Sequence, residues 1–214
     1  MQVVQPRIND SLEEIIDPSF VDGEIWDGYA MHGEGAADAA VNVKILGSNL
    51  RDMRLTGVGL PGLKMRDCRI ERCEISGGIF DNAQFARVEF VSCRLSGVVI
   101  ANAQLRNTRF ADCRLESAQF RMTNIERCEF VECQIPSSDF YEAELDTVSF
   151  LDCDLSSADF SQARMDTVRL HGSEITDIRG GAALSGSIID SSQITSMALV
   201  TFDTLGIRVD DRRG

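Results

Sequence analysis

The sequence predicts an all-β solenoid, a quadrilateral β-helix of four five-residue sides per coil, followed by a short C-terminal α-helix. Three observations carry this. First, an apolar residue holds every fifth position from Ile45 through Leu50, Leu55, Leu60, Met65 and Ile70 to Phe160, Met165, Leu170 and Ile175, without a failure. A period of five fits neither the 3.6-residue helix nor the two-residue strand, so it demands a repeat architecture. Second, the residue two places earlier is generally small, and all seven cysteines (Cys68, Cys73, Cys93, Cys113, Cys128, Cys133 and Cys153) sit there. Third, like residues recur at twenty. Cys73 to Cys153 form one such column, Ala83, Ala103, Ala143 and Ala163 another with Thr123 as its odd member, and Phe90 to Phe150 a third. Residues twenty apart therefore meet the same environment.

Three regions follow in order. Residues 1–40 are acidic and poorly periodic, with Asp10, Glu13, Glu14, Asp17, Asp22, Glu24, Asp27, Glu34 and Asp38 against Arg7 alone. Residues 11–16 can open a helix with Ser11 as its cap and acids suiting its dipole. Trp26, Met31, Ala36 and Val41 are spaced by five in another register and predict a degenerate first coil, which would cover the open end of the stack. Residues 41–190 are the repeat region. Residues 41–179 make about seven coils, a rod roughly 33 Å long at strand spacing.

Charge along the rod is uneven. Arg51, Arg54, Lys64, Arg66, Arg69 and Arg72 make the first coils mixed to basic. Between Cys128 and Ala163 there is no Lys or Arg, and Glu129, Glu132, Asp139, Glu142, Glu144, Asp146, Asp152, Asp154 and Asp159 all fall at outward positions. Asp112, Glu132 and Asp152, twenty apart, stack into an acidic ladder; these ten residues are the candidate partner-binding face. Beside the ladder Val91, Ala111, Val131 and Leu151 are expected to point outward, either as an interaction stripe or as β-formers that stabilise flat strands.

The register breaks at Ile178–Gly181 and resumes one residue early at Leu184, Ile189 and Ile194. In residues 191–214, Ile194, Met197, Ala198, Phe202 and Leu205 then recur at helical spacing, with Ser191 or Ser192 as cap and Gly206 just past the end. Ile207 and Val209 alternate as a short strand. The helix covers the raw end of the stack. A second apolar face is left for a copy of the same chain, so Met197, Phe202, Leu205, Ile207 and Val209 are the expected dimer contact.

Composition narrows the function. A net charge of −13 repels phosphate, so direct nucleic-acid binding is not expected, whereas a basic protein partner is. No apolar run is long enough to span a membrane. The leading residues lack the basic start and apolar core of a secretory signal, and an odd set of interior cysteines suits a reducing compartment, so a cytoplasmic location is expected. The cysteine column is spaced for neither disulfides nor a metal, and reads as reduced, buried small hydrophobes. His32 and His171 lie far apart, and no phosphate loop or nucleophile elbow is present. Neither an enzyme nor a cofactor is expected.

The stretches Ala-Asp-Phe-Ser-Gln (158–162), Ala-Gln-Phe-Arg-Met (118–122) and Cys-Asp-Leu-Ser-Ser (153–157) resemble the motif of the pentapeptide-repeat family, over about two-thirds of the chain. That resemblance implies a right-handed β-helix. The tail, through Ile189, Asp190, Gln193, Leu205, Gly206, Ile207 and Val209, resembles the quinolone-resistance pentapeptide proteins of the Qnr and MfpA type. It implies a rod dimerised end to end, shaped and charged like duplex DNA, that binds DNA gyrase or topoisomerase IV and alters inhibition by fluoroquinolone-like drugs. The projecting loops of several Qnr proteins have no counterpart here. The alternative is an interaction scaffold for another partner.

Overall fold

The computed structural model describes residues 3–8, 10–37 and 40–208. It is a right-handed parallel β-solenoid of about eight turns with one C-terminal helix. Successive coils pair in parallel at an offset of twenty, as in Phe90↔Phe110, Phe110↔Phe130 and Phe130↔Phe150. Every member of the five-residue series from Ile45 to Ile175 is buried except Met165, which packs half-buried against the same core.

The core stacks by column. Phe90, Phe110, Phe130 and Phe150 lie ring on ring with centroids 4.8 Å apart, which is the rise of one coil. Phe120, Phe140 and Phe160 form a second stack, set edge-on to the first: Phe120 meets Phe130 at 84° and Phe140 meets Phe150 at 87°. Both arrangements suit the ring quadrupole. The small interior position has its own chemistry. The side chain there points at the carbonyl 23 residues earlier: Cys133 Sγ to Phe110 O at 3.4 Å, Ser138 Oγ to Leu115 O at 2.8 Å, Thr123 Oγ1 to Ile100 O at 2.6 Å. Small donors satisfy a buried acceptor without widening the coil.

Each side ends in a corner with one residue in the left-handed region. Every position ending in 2 or 7 from Asn42 to Asp177 has φ between 51° and 72°. Gly, Asn and Asp tolerate this conformation, and several corners use them. Thr147, Thr167 and Met122 adopt it against their preference. They are held there by backbone bonds to the next coil, such as Thr147 N–H to Asp166 O at 2.8 Å.

The leading region departs from expectation. Glu13–Ile16 is a strand, not part of a helix capped by Ser11. It pairs with Tyr29–His32, and adjoining β-branched Ile15 and Ile16 suit that pairing. Trp26 and Met31 do enter coil positions, opposite Ile45 and Leu50, at an offset of nineteen. Val41 does not: it is 38% exposed, and Ala40 and Val43 are the buried residues there. The stripe Val91, Ala111, Val131 and Leu151 is half-buried, since each residue shelters its neighbours in the stack, and it forms no open apolar patch.

At the far end Gly180 turns the chain with φ 75°, a 3-10 turn spans Gly181–Leu184, and pairing resumes as Arg169↔Ile188. A further 3-10 turn, Ser191–Gln193, leads into helix α1, Ile194–Thr204. The cap is Asp190, not Ser191 or Ser192. Its carboxylate accepts from Ser192 N–H at 2.8 Å, and Gln193 Oε1 accepts from Asp190 N–H at 3.0 Å, a reciprocal capping box. Gly206 lies past the helix end with φ 68°. Gly206 N–H donates to Asp203 O and Ile207 N–H to Phe202 O, a Schellman closure. Ile207 is therefore spent on ending the helix and begins no strand; Val209 lies outside the described residues.

Candidate partner-binding surfaces

The corner column at 52, 72, 92, 112, 132 and 152 is the first surface. In the early coils it is neutralised: Arg72 grips Asp52 through two hydrogen bonds of 2.8 and 2.9 Å. Further along, Ser92 O–H donates to Asp112 at 2.9 Å. Then Asp112, Glu132 and Asp152 follow one another, exposed and without an ion pair among the described residues. With a coil rise of 4.8 Å, neighbouring carboxylates repel across about one strand spacing.

Four other acids of the expected face are not bare. Arg109 lies 3.7 Å from Glu129, Arg121 is 2.6 Å from Asp139, Arg164 is 3.0 Å from Glu144 and Arg179 is 3.2 Å from Asp159. The run from Cys128 to Ala163 lacks cations along the chain, but the coils above and below bring them from 18 or 20 residues away. Arg121 also lies over the Tyr141 ring at 4.6 Å. Asp154 turns to its own chain, accepting from Ser156 N–H at 2.9 Å and its O–H at 2.6 Å. Burial works against the charge of Asp159, but the Ser161 hydroxyl and N–H and then Arg179 outweigh it and hold the carboxyl below its usual range. Glu142 and Asp146 remain exposed. Asp166 extends the Asp146 column by one coil, and Glu174 stands opposite Asp154. Both lie outside the cation-free window, though the period of twenty locates them.

The helical end is the second surface. Asp190 Oδ2 accepts from Gly172 N–H at 2.6 Å, and Gln193 Nε2 donates to Leu170 O at 2.5 Å and Ser173 O at 2.6 Å. These two residues fasten α1 to the last coil. The Ser192 hydroxyl, the Gly172 N–H and the Ser192 N–H hold the Asp190 carboxyl below its usual range. At 3.6 residues per turn, Gln193, Met197 and Val200 share the inward side. Val200 is buried and Met197 packs on the core, so Met197 belongs to the end cap and not to an outward contact. Ile194, Phe202, Leu205 and Ile207 are 61%, 38%, 67% and 50% exposed. The first three lie together on the side opposite Val200. These apolar side chains, with Leu199 at 58% exposed, are left open to solvent.

The cysteines offer no third surface. All seven are buried and free. Burial pushes the Cys68 and Cys128 thiols up to about 12. Neighbouring sulfurs, together with burial, raise Cys73, Cys113 and Cys153. Among the described residues no cluster of His, Cys, Asp and Glu is placed to hold a metal ion.

A family model described as a pentapeptide repeat region matches residues 63–135 and 109–179, together more than half of the chain. No curated protein matches. Among solved structures, the chain is similar to HetL, a pentapeptide repeat protein involved in heterocyst differentiation regulation from the cyanobacterium Nostoc sp. strain PCC 7120. Identity is 14%, covering 86% of this chain and 92% of that one, at a TM-score of 0.45. It is also similar to a trypsin-treated variant of QnrB1, a plasmid-mediated fluoroquinolone resistance protein. There identity is 17%, covering 94% of this chain and 99% of that one, at a TM-score of 0.46.

Proposed function

The chain belongs to the pentapeptide repeat family, and from that premise we propose that it is a non-enzymatic DNA mimic that binds a type II topoisomerase, DNA gyrase or topoisomerase IV. One observation carries the reading. The Asp112–Glu132–Asp152 column is left like-charged where the same column is ion-paired at Asp52 and Arg72. A repeat of carboxylates on a rigid rod offers a cationic DNA-binding surface what a phosphate backbone offers it, namely regular negative charge. The open Ile194–Phe202–Leu205 face supports a two-fold dimer through α1, which would double the rod and place the two acidic zones nearest its centre.

The test is binding to purified gyrase with rising salt and with excess duplex DNA, paired with a supercoiling assay with and without a fluoroquinolone. Binding should weaken with salt, because exposed charges are screened over about 8–10 Å near physiological ionic strength. Duplex DNA should compete. Binding that is indifferent to excess duplex refutes mimicry. A second reading, an interaction scaffold for another partner, is favoured by the arginines that neutralise Glu129, Asp139, Glu144 and Asp159. Absence of gyrase binding selects it.

A further inference from the structure

The leading segment 3–8 belongs to no coil, yet it is fixed to the rod at two points distant in sequence. Val4 N–H donates to Asn107 Oδ1 at 3.5 Å, and Arg7 N–H donates to Asp67 Oδ1 at 3.1 Å. Asp67 and Asn107 are corner residues of one column, two coils apart, with Arg87 between them. Two coils rise about 9.6 Å, and three residues of polyproline II chain, whose threefold period turns residues i and i+3 to the same side, reach about 9.3 Å. An extended peptide with every third N–H turned to the rod is therefore commensurate with the corner column. The segment runs against the direction in which the coils advance, as its order Val4–Asn107, Arg7–Asp67 requires.

Burial agrees with a seated segment. Val3 is 4% exposed although it is no part of the solenoid core, and Asn107, at 8%, is the single buried residue among the corners from Asn42 to Asp177. Pro6 sits between the two donors, where no N–H is used, and its fixed φ favours an extended run. Asp67 is prepared to accept: Arg87 holds both carboxylate oxygens at 2.6 Å. Burial works against its charge, but Arg87 and the Arg7 N–H outweigh it and keep the carboxyl below its usual range. Little else restrains the segment, since Val4 is 44% exposed and Gln5 and Arg7 are exposed.

We propose that the Asp67–Arg87–Asn107 corner column is a docking site for an extended peptide of the pattern Val-Val-x-Pro-x, and that segment 3–8 is its built-in, displaceable occupant. The site reads backbone N–H groups at a spacing of three and one buried β-branched side chain. An outside peptide of that pattern competes with the chain's own segment.

The test uses the full chain and a fluorescein-labelled hexapeptide, Val-Val-Gln-Pro-Arg-Ile, followed by fluorescence anisotropy. Val3→Glu, with Val3→Ser as the milder variant, disengages the chain's own segment without touching the core; melting curves confirm the fold. The hexapeptide should bind both variants at least tenfold more tightly than it binds the unmodified chain. Trypsin should cut after Arg7 at least tenfold faster in the variants. Adding Asn107→Gly, which keeps the positive φ and removes the acceptor, should abolish the gain in peptide binding. The proposal is overturned if peptide affinity and cleavage stay at the unmodified level, or if Asn107→Gly leaves the gain intact.

Discussion

Glu132→Lys separates the fold's interest from that of the surface. Glu132 stands between Asp112 and Asp152 in a column whose rise is 4.8 Å. A lysine there turns two repulsions into two attractions. Exposed pairs are worth about 0.2–1 kcal/mol each, so the change should stabilise the rod by roughly 0.5–2 kcal/mol at low salt. For a chain of this size that is a rise in melting temperature of about 1–8 °C. The corner conformation does not oppose it, because Arg72 already occupies the same column with φ 52° and pairs with Asp52. The gain should fade in 1 M salt, where the Debye length is about 3 Å. In the same variant, affinity for a cationic partner should fall, because a carboxylate at the centre of the acidic ladder has become a cation. The assay is differential scanning calorimetry at two salt concentrations beside gyrase binding. A lower melting temperature, or a rise that salt leaves untouched, would refute the like-charge reading; unchanged gyrase affinity would refute the column as the contact.

Phe130→Ala removes a ring stacked on Phe110 and Phe150 and edge-on to Phe120, and should cost about 3–5 kcal/mol, seen as a fall of roughly 6–20 °C in melting temperature. Cys93 and Cys113 should resist alkylation in the native chain and react once denatured, as followed by mass spectrometry; rapid native labelling would contradict the buried column. Phe202→Arg places a charge on the open face of α1 and should give monomers by sedimentation where the unmodified chain gives dimers. Asp190 has a depressed folded carboxyl, so its contribution is present above its unfolded pKa, about 3.9, and is lost as pH falls through the lower folded value. Fraying of α1 on acidification should therefore appear by circular dichroism below about pH 4 and be reproduced at neutral pH by Asp190→Ala.

The interior was legible in the sequence because burial in this fold repeats at five and at twenty, and both periods survive by eye from Ile45 to Ile175. The leading coils were not, because their offsets shrink: Glu13 stands opposite Tyr29, Ser19 opposite Ala36 and Ile25 opposite Lys44. A short segment such as Glu13–Ile16, cut loose from the period, reads equally well as a helix start. Periodicity in α1 found the apolar residues but not which side faces the coil. Gln193 decides that, by reaching the carbonyls of Leu170 and Ser173. The seat of segment 3–8 was beyond reach, since Val4 and Asn107 are 103 residues apart. The pairing of Glu129 with Arg109 was within reach: charge had to be read down the columns and not along the chain.

Reading down the columns also bears on the proposed acidic contact. Stacked side chains at one coil rise make the sign of each neighbour matter. In several columns of the earlier coils stacked charges alternate in sign: Asp52 with Arg72, Asp67 with Arg87, and Arg69, Glu89, Arg109 and Glu129 in succession, while Lys44 on Lys64 and Arg94 on Arg114 are like-charged exceptions. Pairing remains parallel at an offset of twenty in the later coils, although the eight-residue strands Lys64–Glu71, Gln84–Val91 and Gln104–Ala111 give way to pairs of three-residue strands such as Asn124–Glu126 and Glu129–Val131. Alternation would be the more stable arrangement through Asp112, Glu132 and Asp152, and through Asp146 and Asp166. In the coils nearest α1 these like-charged columns stand beside paired ones, Arg164 with Glu144 and Arg179 with Asp159. Two rods joined through α1, as proposed, would bring two copies of the Asp112–Glu132–Asp152 column toward one centre, where a cationic partner could relieve their like-charge repulsion.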